Sequence, residues 1–299
     1  MAVYKKTYSV YSGPQTPPWS RFLVITRFAF EDLRRSRFLT MFFLGSFLWP
    51  LISAFVIYLQ HNLQSLKALG LEPPSFLSIN ANFFLFYLGL QSMLAFFLNA
   101  FAGPGLVSPD LAHNALPLYL SRPFSRAEYV LGKVTVLLGL YSVMTWIPGL
   151  LLYGLQSYFA GADWAAQNLR IAGALLAGSW IWILILALMS LAISAWVKWK
   201  PAAGALLFGL FFIGLGFSAA INNLLRTKWG NLINMSHLIG SVWVALFEEP
   251  MKRGSGAVFF RVARGEEIPL WCCWAALLGF CGFCLWLLNR KIRAVEVVR

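Results

Sequence analysis

Long apolar runs alternate with short polar stretches along this chain of 299 residues. Six of the runs are long enough to cross a bilayer as helices, which takes about 20 residues. They lie at Phe38–Gln60, Ile79–Leu106, Val130–Tyr158, Leu169–Val197, Ala202–Asn222 and Ile268–Leu288. Pro50 and Pro148 fall inside the first and third runs and predict kinks, which bundled neighbours tolerate. A further stretch, Trp229 to Phe247, is only moderately apolar and carries Asn231, Asn234, Ser236 and His237. It predicts a half-buried helix resting on or dipping into the outer face, not a seventh span. The expected fold is thus an all-α polytopic membrane protein with six transmembrane helices. A large outer loop with short helices, residues 223–267, precedes the last of them.

Ahead of the first span the pattern changes to a helix with two faces. Phe22, Ile25, Ala29 and Leu33 fall on one side at helical spacing, and Arg27, Glu31, Arg34 and Arg35 on the other. This is the pattern of an interfacial elbow helix within a cytoplasmic N-terminal segment, residues 1–37. Glu31 stands one turn from Arg27 and from Arg35, so ion pairs to both are expected. Orientation follows from the basic residues. With the N-terminus inside, most of the 24 Lys and Arg lie on the cytoplasmic side, including the basic tail 290–299. Both termini are therefore expected in the cytoplasm, with the transmembrane domain at 38–289 between them.

The second and third spans are joined by a polar, proline-marked segment, residues 107–128. Ser108-Pro109-Asp110 reads as a helix cap, a proline at the first helical position and an acid near the positive helix end. Ser125 and Glu128 form a capping box directly before the apolar run that opens with Tyr129. Between them a short helix, broken at Pro117 and Pro123, is expected at the membrane edge. A chain this apolar has few polar places where another protein can push on it, and this segment has the shape of a docking lever.

Composition narrows the class further. Only 12% of residues are charged and 59% are hydrophobic, whereas a soluble domain carries about a quarter charged residues. No apolar core marks a cleaved signal peptide in the first twenty residues. The net charge of +13 reads as basic loops at an anionic leaflet, with no soluble basic module for nucleic acid. Cys272, Cys273, Cys281 and Cys284 all fall in the last run, where thiols act as small hydrophobes. His61, His113 and His237 are scattered, so no zinc-protease pattern arises. Gly132-Lys133 superficially matches a phosphate-binding loop, but Ala127 and Val134 stand where Gly and Ser or Thr are needed. Lys133 and Arg170 sit near span ends, where they can snorkel. No charge is expected at a span midplane, which weighs against an ion-coupled carrier.

The layout and the motif resemble the type-2 ABC exporter permeases. The motif residues are Ser108, Asp110, Leu116, Leu120, Pro123, Arg126, Gly132 and Lys133. The layout covers nearly the whole chain, the residue match only about Gly105 to Lys133. The chain departs from the family pattern at Asp110, usually Glu, and at Asn114-Ala115, a commoner Gly-Thr. The resemblance implies a permease subunit forming a translocation path as a homodimer or heterodimer in a bacterial inner membrane, surrounded by membrane lipid. Such a subunit would not be an enzyme by itself and would hold no cofactor. ATP and Mg would belong to partner ABC ATPase subunits. The ATPase-docking residues implied are Ser108, Pro109, Asp110, Leu111, His113, Asn114, Leu116, Tyr119, Arg122 and Arg126. Other readings are an ion-coupled secondary transporter, a membrane-embedded enzyme and a non-catalytic scaffold subunit.

Overall fold

The computed structural model describes residues 17, 20–62, 78–113, 125–248, 260 and 268–291. Among them there are helices and connecting turns but no strand. The helices are α1 (Arg21–Arg35), α2 (Arg37–Gly45), α3 (Leu48–His61), α4 (Ala81–Ala102), α5 (Pro104–Ala112) and α6 (Arg126–Met144). They continue with α7 (Trp146–Ala160), α8 (Ala162–Gln167), α9 (Leu169–Trp196), α10 (Lys200–Leu225), α11 (Met235–Phe247) and α12 (Leu270–Lys291). A 3-10 turn, Trp229–Leu232, precedes α11.

Among the described residues, six helical stretches are long and apolar enough to cross a membrane: Arg37–His61, Ala81–Asp110, Arg126–Ala160, Leu169–Trp196, Lys200–Leu225 and Leu270–Lys291. They match the six runs predicted from sequence to within a few residues. Each of the first three is two helices in series. The breaks fall at Ser46-Phe47, Gly103 and Thr145, just before Pro50, Pro104 and Pro148. Each proline thus occupies the first turn of the second helix, where its missing N–H is tolerated. Neighbouring helices supply donors to carbonyls at two of these breaks. The Gln91 side-chain N–H donates to the Ser46 carbonyl at 3.2 Å, the carbonyl left open by Pro50. The Tyr87 hydroxyl donates to the Thr145 carbonyl at 3.2 Å. In an apolar medium the Ser46 carbonyl has no water to turn to, so the Gln91 donor stabilises the break of the first span, while the Tyr87 hydroxyl ties that of the third span to α4.

Helix α9 is the hub, touching α4, α5, α6, α7, α10, α11 and α12. Small residues let its neighbours approach: Ala174, Gly178, Ser179, Ala187, Ser190 and Ser194 are all buried. In the second and fourth spans 56% of the apolar stretch is buried, against 22% in the first, fifth and sixth. The second and fourth spans therefore form the centre, and the other three turn apolar faces outward, as lipid-facing helices do.

Residues 229–247 insert into the bundle. The Ile233 carbonyl lies 3.2 Å from where a Cβ on Gly214 of α10 would stand. Gly214 is eleven residues from Leu225, so the chain descends by roughly 16 Å from that end of α10. Helix α11 then climbs back, and its C-terminal Ala245 and Leu246 carbonyls accept from the Arg170 guanidinium at the start of α9. Its thirteen residues are too short to span. Most of them are buried, including Trp243, whose indole N–H donates to the Gly178 carbonyl at 3.0 Å. Phe260, the one described residue of 249–267, packs on Trp243 and Trp182 at 4.5 and 5.0 Å between ring centroids.

Candidate functional site

The end of the bundle that gathers α1, the close of the second span and the start of the third holds most of the described candidate residues. Helix α5 begins at Pro104, after Gly103, and Pro109 lies inside it. The expected helix start at Ser108-Pro109 is therefore corrected: Ser108 is no cap. It is fully buried, and its hydroxyl donates to the Val197 carbonyl at 2.7 Å and stands 3.2 Å from that of Ser194. One carbonyl of α9 and one just past its end thus hold the side chain that a cap would turn back on its own helix. The Ser194 hydroxyl accepts from the Ser108 backbone N–H at 2.9 Å and donates to the Pro104 carbonyl at 3.1 Å. It stands across the donor and acceptor that an α-helix joins directly, and so fastens α5 to α9.

Asp110 is drawn inward. One carboxylate oxygen lies 2.9 Å from Lys133 Nζ and accepts from the Tyr129 hydroxyl at 2.7 Å. The Asp110 and Lys133 side chains are 17% and 9% exposed, so this pair is largely shielded from solvent. The Lys133 ammonium also sits 5.7 Å from the Tyr129 ring centroid. Lys133, which the sequence places near a span end, meets there a carboxylate from the end of the preceding span. The three residues form a clasp between α5 and α6.

Helix α6 carries two further devices on the same end. The capping box is present: Ser125 N–H donates to Glu128 Oε2 at 2.6 Å, and Glu128 N–H to Ser125 Oγ at 3.2 Å. Two orphan donors at the helix start are satisfied, which fixes where α6 begins. One turn beyond, Gly132 is the notch on which α1 rests. A Cβ there would stand 2.9 Å from the Phe22 carbonyl and 3.0 Å from Ile25 Cβ. The Thr26 hydroxyl crosses the same gap to the Gly132 carbonyl at 3.0 Å.

Helix α1 has the faces expected of it. Ile25 and Ala29 are buried, whereas Arg27, Glu31, Arg34 and Arg35 are exposed. Glu31 forms no ion pair with Arg27 or Arg35 within 4.0 Å, which corrects that expectation. Exposed pairs of this kind hold only a few tenths of a kcal/mol against side-chain entropy. An apolar set, Leu23, Val24, Phe28 and Phe30, is also exposed on α1 and was not anticipated.

His113 is exposed at the end of the described segment, with Nδ1 2.8 Å from the Pro109 carbonyl. Arg126 is exposed at the first position of α6. Asn114, Leu116, Tyr119 and Arg122 lie outside the described residues, as does the side chain of Leu111. The structure thus joins Ser108, Asp110, Ser125 and Glu128 into one framework with Tyr129, Gly132, Lys133, Thr26 and Ser194. Thr26, Tyr129 and Ser194 were not anticipated; their roles depend on partners far along the chain.

At membrane depth, a cavity of about 590 Å³ opens between α10, α12 and the inserted hairpin. Its walls are apolar, with Phe211, Phe217 and Phe280 beside Gly209, Gly214 and Gly279. No protein-family model matches the chain, and no curated protein matches it in sequence.

Proposed function

We propose that the chain is the membrane permease subunit of an ATP-driven exporter of the type-2 ABC class. It works as a pair with a second copy or a homologue, in a bacterial inner membrane with both termini in the cytoplasm. Separate ATPase subunits bind ATP and Mg and dock beneath the end of the bundle that carries residues 107–128. The single observation that carries this reading is the framework at that end. The polar segment leaves from a helix tied to α9 through Ser108 and to α6 through Asp110. It returns through a capped helix start on which α1 is seated. A push on this segment meets a braced junction and moves the second and third spans together, as a lever requires. Exposed His113 and Arg126 are the described side chains available for ATPase contact.

The inserted hairpin closes the opposite, external end of the path, and the apolar cavity at its foot suits a hydrophobic cargo. The test is to purify the full chain gently from its native membrane and weigh the complex. Two ATPase chains with two permease chains are expected, and His113→Glu with Arg126→Glu lowers transport-coupled ATP hydrolysis while leaving thermal stability unchanged. Transport of cargo by the polypeptide alone in sealed vesicles overturns the reading.

A further inference from the structure

A second cavity lies in the corner between the C-terminus of α1 and the first span, on the end of the bundle that carries the Asp110–Lys133 clasp. It measures about 230 Å³, and its floor is formed by Leu98 and Ala102 of α4 and Leu140 of α6. Phe43 lines it too, and the exposed side chains of Phe30 and Leu44 stand at its open side. The polar liners are Arg34 and Thr40, and the Thr40 hydroxyl is already spent on the Arg34 and Ser36 carbonyls. Water in such a space lacks the two to four polar partners it needs. An apolar occupant is therefore favoured over a hydrated one.

The charge beside the opening says which apolar occupant. Arg34 lines the cavity, and Arg35 and Arg37 follow within three positions, around the Ser36 turn between α1 and α2. All three are exposed, and none makes an ion pair with a described residue. Glu31 and Asp32 lie one turn earlier on α1 and do not neutralise them within 4.0 Å. A guanidinium is a planar fork that matches phosphate oxygens, and basic clusters at a span's edge attract anionic lipid. We propose that this corner is a binding site for one anionic phospholipid. Its phosphate lies on Arg34, with Arg35 and Arg37 adding to the field, and one acyl chain enters the cavity as far as Leu98 and Ala102. The lipid then wedges α1 against the first span on the side away from Gly132, so the posture of α1 depends on the lipid composition around it.

The inference needs anionic lipid but no ATPase partner, so it and the exporter reading fail separately. The full chain is purified in detergent and titrated with phosphatidylglycerol or phosphatidylcholine of matched acyl chains, and bound lipid is counted by native mass spectrometry. One saturable phosphatidylglycerol adduct is expected, with a clear preference over phosphatidylcholine. Each arginine replaced by glutamine weakens it about five-fold, and the triple variant on the order of a hundred-fold. Leu44→Trp, at an exposed position, obstructs the opening and removes the adduct with every charge intact. A phosphatidylglycerol carrying a diazirine in its acyl chain labels peptides containing Leu98 and Leu140. Absence of a saturable adduct, an unchanged preference in the triple variant, or labelling spread evenly over the outward faces of α3, α10 and α12 overturns the assignment.

Discussion

Replacing Asp110 by alanine removes the carboxylate that meets Lys133 at 2.9 Å and Tyr129 at 2.7 Å. The ammonium left behind is nine-tenths hidden, and no other carboxylate among the described residues lies within 4.0 Å of it. Breaking a buried pair in this way costs about 3–5 kcal/mol, and the residual exposure of Asp110 places this one near the lower figure. Lys133→Met alone leaves a carboxylate that keeps the Tyr129 hydrogen bond, at a cost of about 1–2 kcal/mol. The double variant leaves no orphaned charge, and the methionine stem fills the lysine's space, so its cost is about 2 kcal/mol. The expected coupling is therefore about 2–3 kcal/mol, near the top of the range for residues in contact. At roughly 2–3 °C per kcal/mol for a chain of this size, Asp110→Ala lowers the melting temperature by about 6–9 °C. The double variant then recovers about a third of that loss. Thermal unfolding of the purified protein, followed by tryptophan fluorescence, reads the cycle directly. Single losses that simply add in the double variant refute the clasp, because independent sites add to within about 0.5 kcal/mol.

Gly132→Val places two methyl groups where the Phe22 carbonyl and Ile25 already stand, so α1 lifts from α6. A cysteine at Thr26 then reacts with a maleimide several-fold faster than in the wild type, and unchanged reactivity counts against the notch. At the other end, Arg170 and Glu248 form an ion pair that is half or more exposed on both sides, worth about 0–1 kcal/mol. Arg170 also donates to the last carbonyls of α11, so Arg170→Ala costs about 1 kcal/mol more than Glu248→Gln. Equal melting temperatures for the two variants dispose of this capping role. Trp243→Ala deletes a fully buried indole and its bond to Gly178, a loss of about 3–5 kcal/mol. It should release α11, so that a cysteine at Ser241 becomes open to a water-soluble thiol reagent added to the purified protein; continued protection means the hairpin is held elsewhere.

What the sequence made legible was whatever is decided within about one helical turn. The six spans announced themselves by length and composition, and the Ser125–Glu128 box by two polar residues three apart. The buried line of α1 was readable because Ile25 and Ala29 repeat at helical spacing. Decisions that rest on a distant partner were not readable. Ser108-Pro109-Asp110 has the local form of a helix start, yet Ser194 and Val197, about ninety residues further on, take the serine hydroxyl into the core. Asp110 has the form of an exposed lever charge, yet Lys133 and Tyr129 of the next span enclose it. Glu31 failed in the opposite sense: its partners were near in sequence, but the pairs are exposed and too weak to hold.

The proline breaks show why those distant partners matter for motion. A break in a span is a natural place to bend, provided the freed carbonyls stay satisfied while it bends. Helix α4 reaches two of the breaks: Gln91 donates to the freed Ser46 carbonyl in the first span, and Tyr87 to the Thr145 carbonyl in the third, which also accepts from the Gly149 N–H at 3.1 Å. The third break, at Gly103, lies in the same span as α4, and beyond it Ser194 and the Asp110 clasp hold α5. Gly204 of α10 closes on this break from the other side; a Cβ there would stand 2.6 Å from the Ala100 carbonyl, the one Pro104 leaves open. A displacement of α5 is therefore passed to α4 across Gly103, and from α4 to the bends of both neighbouring spans at once. Moving the break of the first span away from α4 strands the Ser46 carbonyl in an apolar medium. Moving that of the third span costs the Tyr87 hydroxyl its acceptor, so these two bends are coupled to α4 by hydrogen bonding as well as by packing.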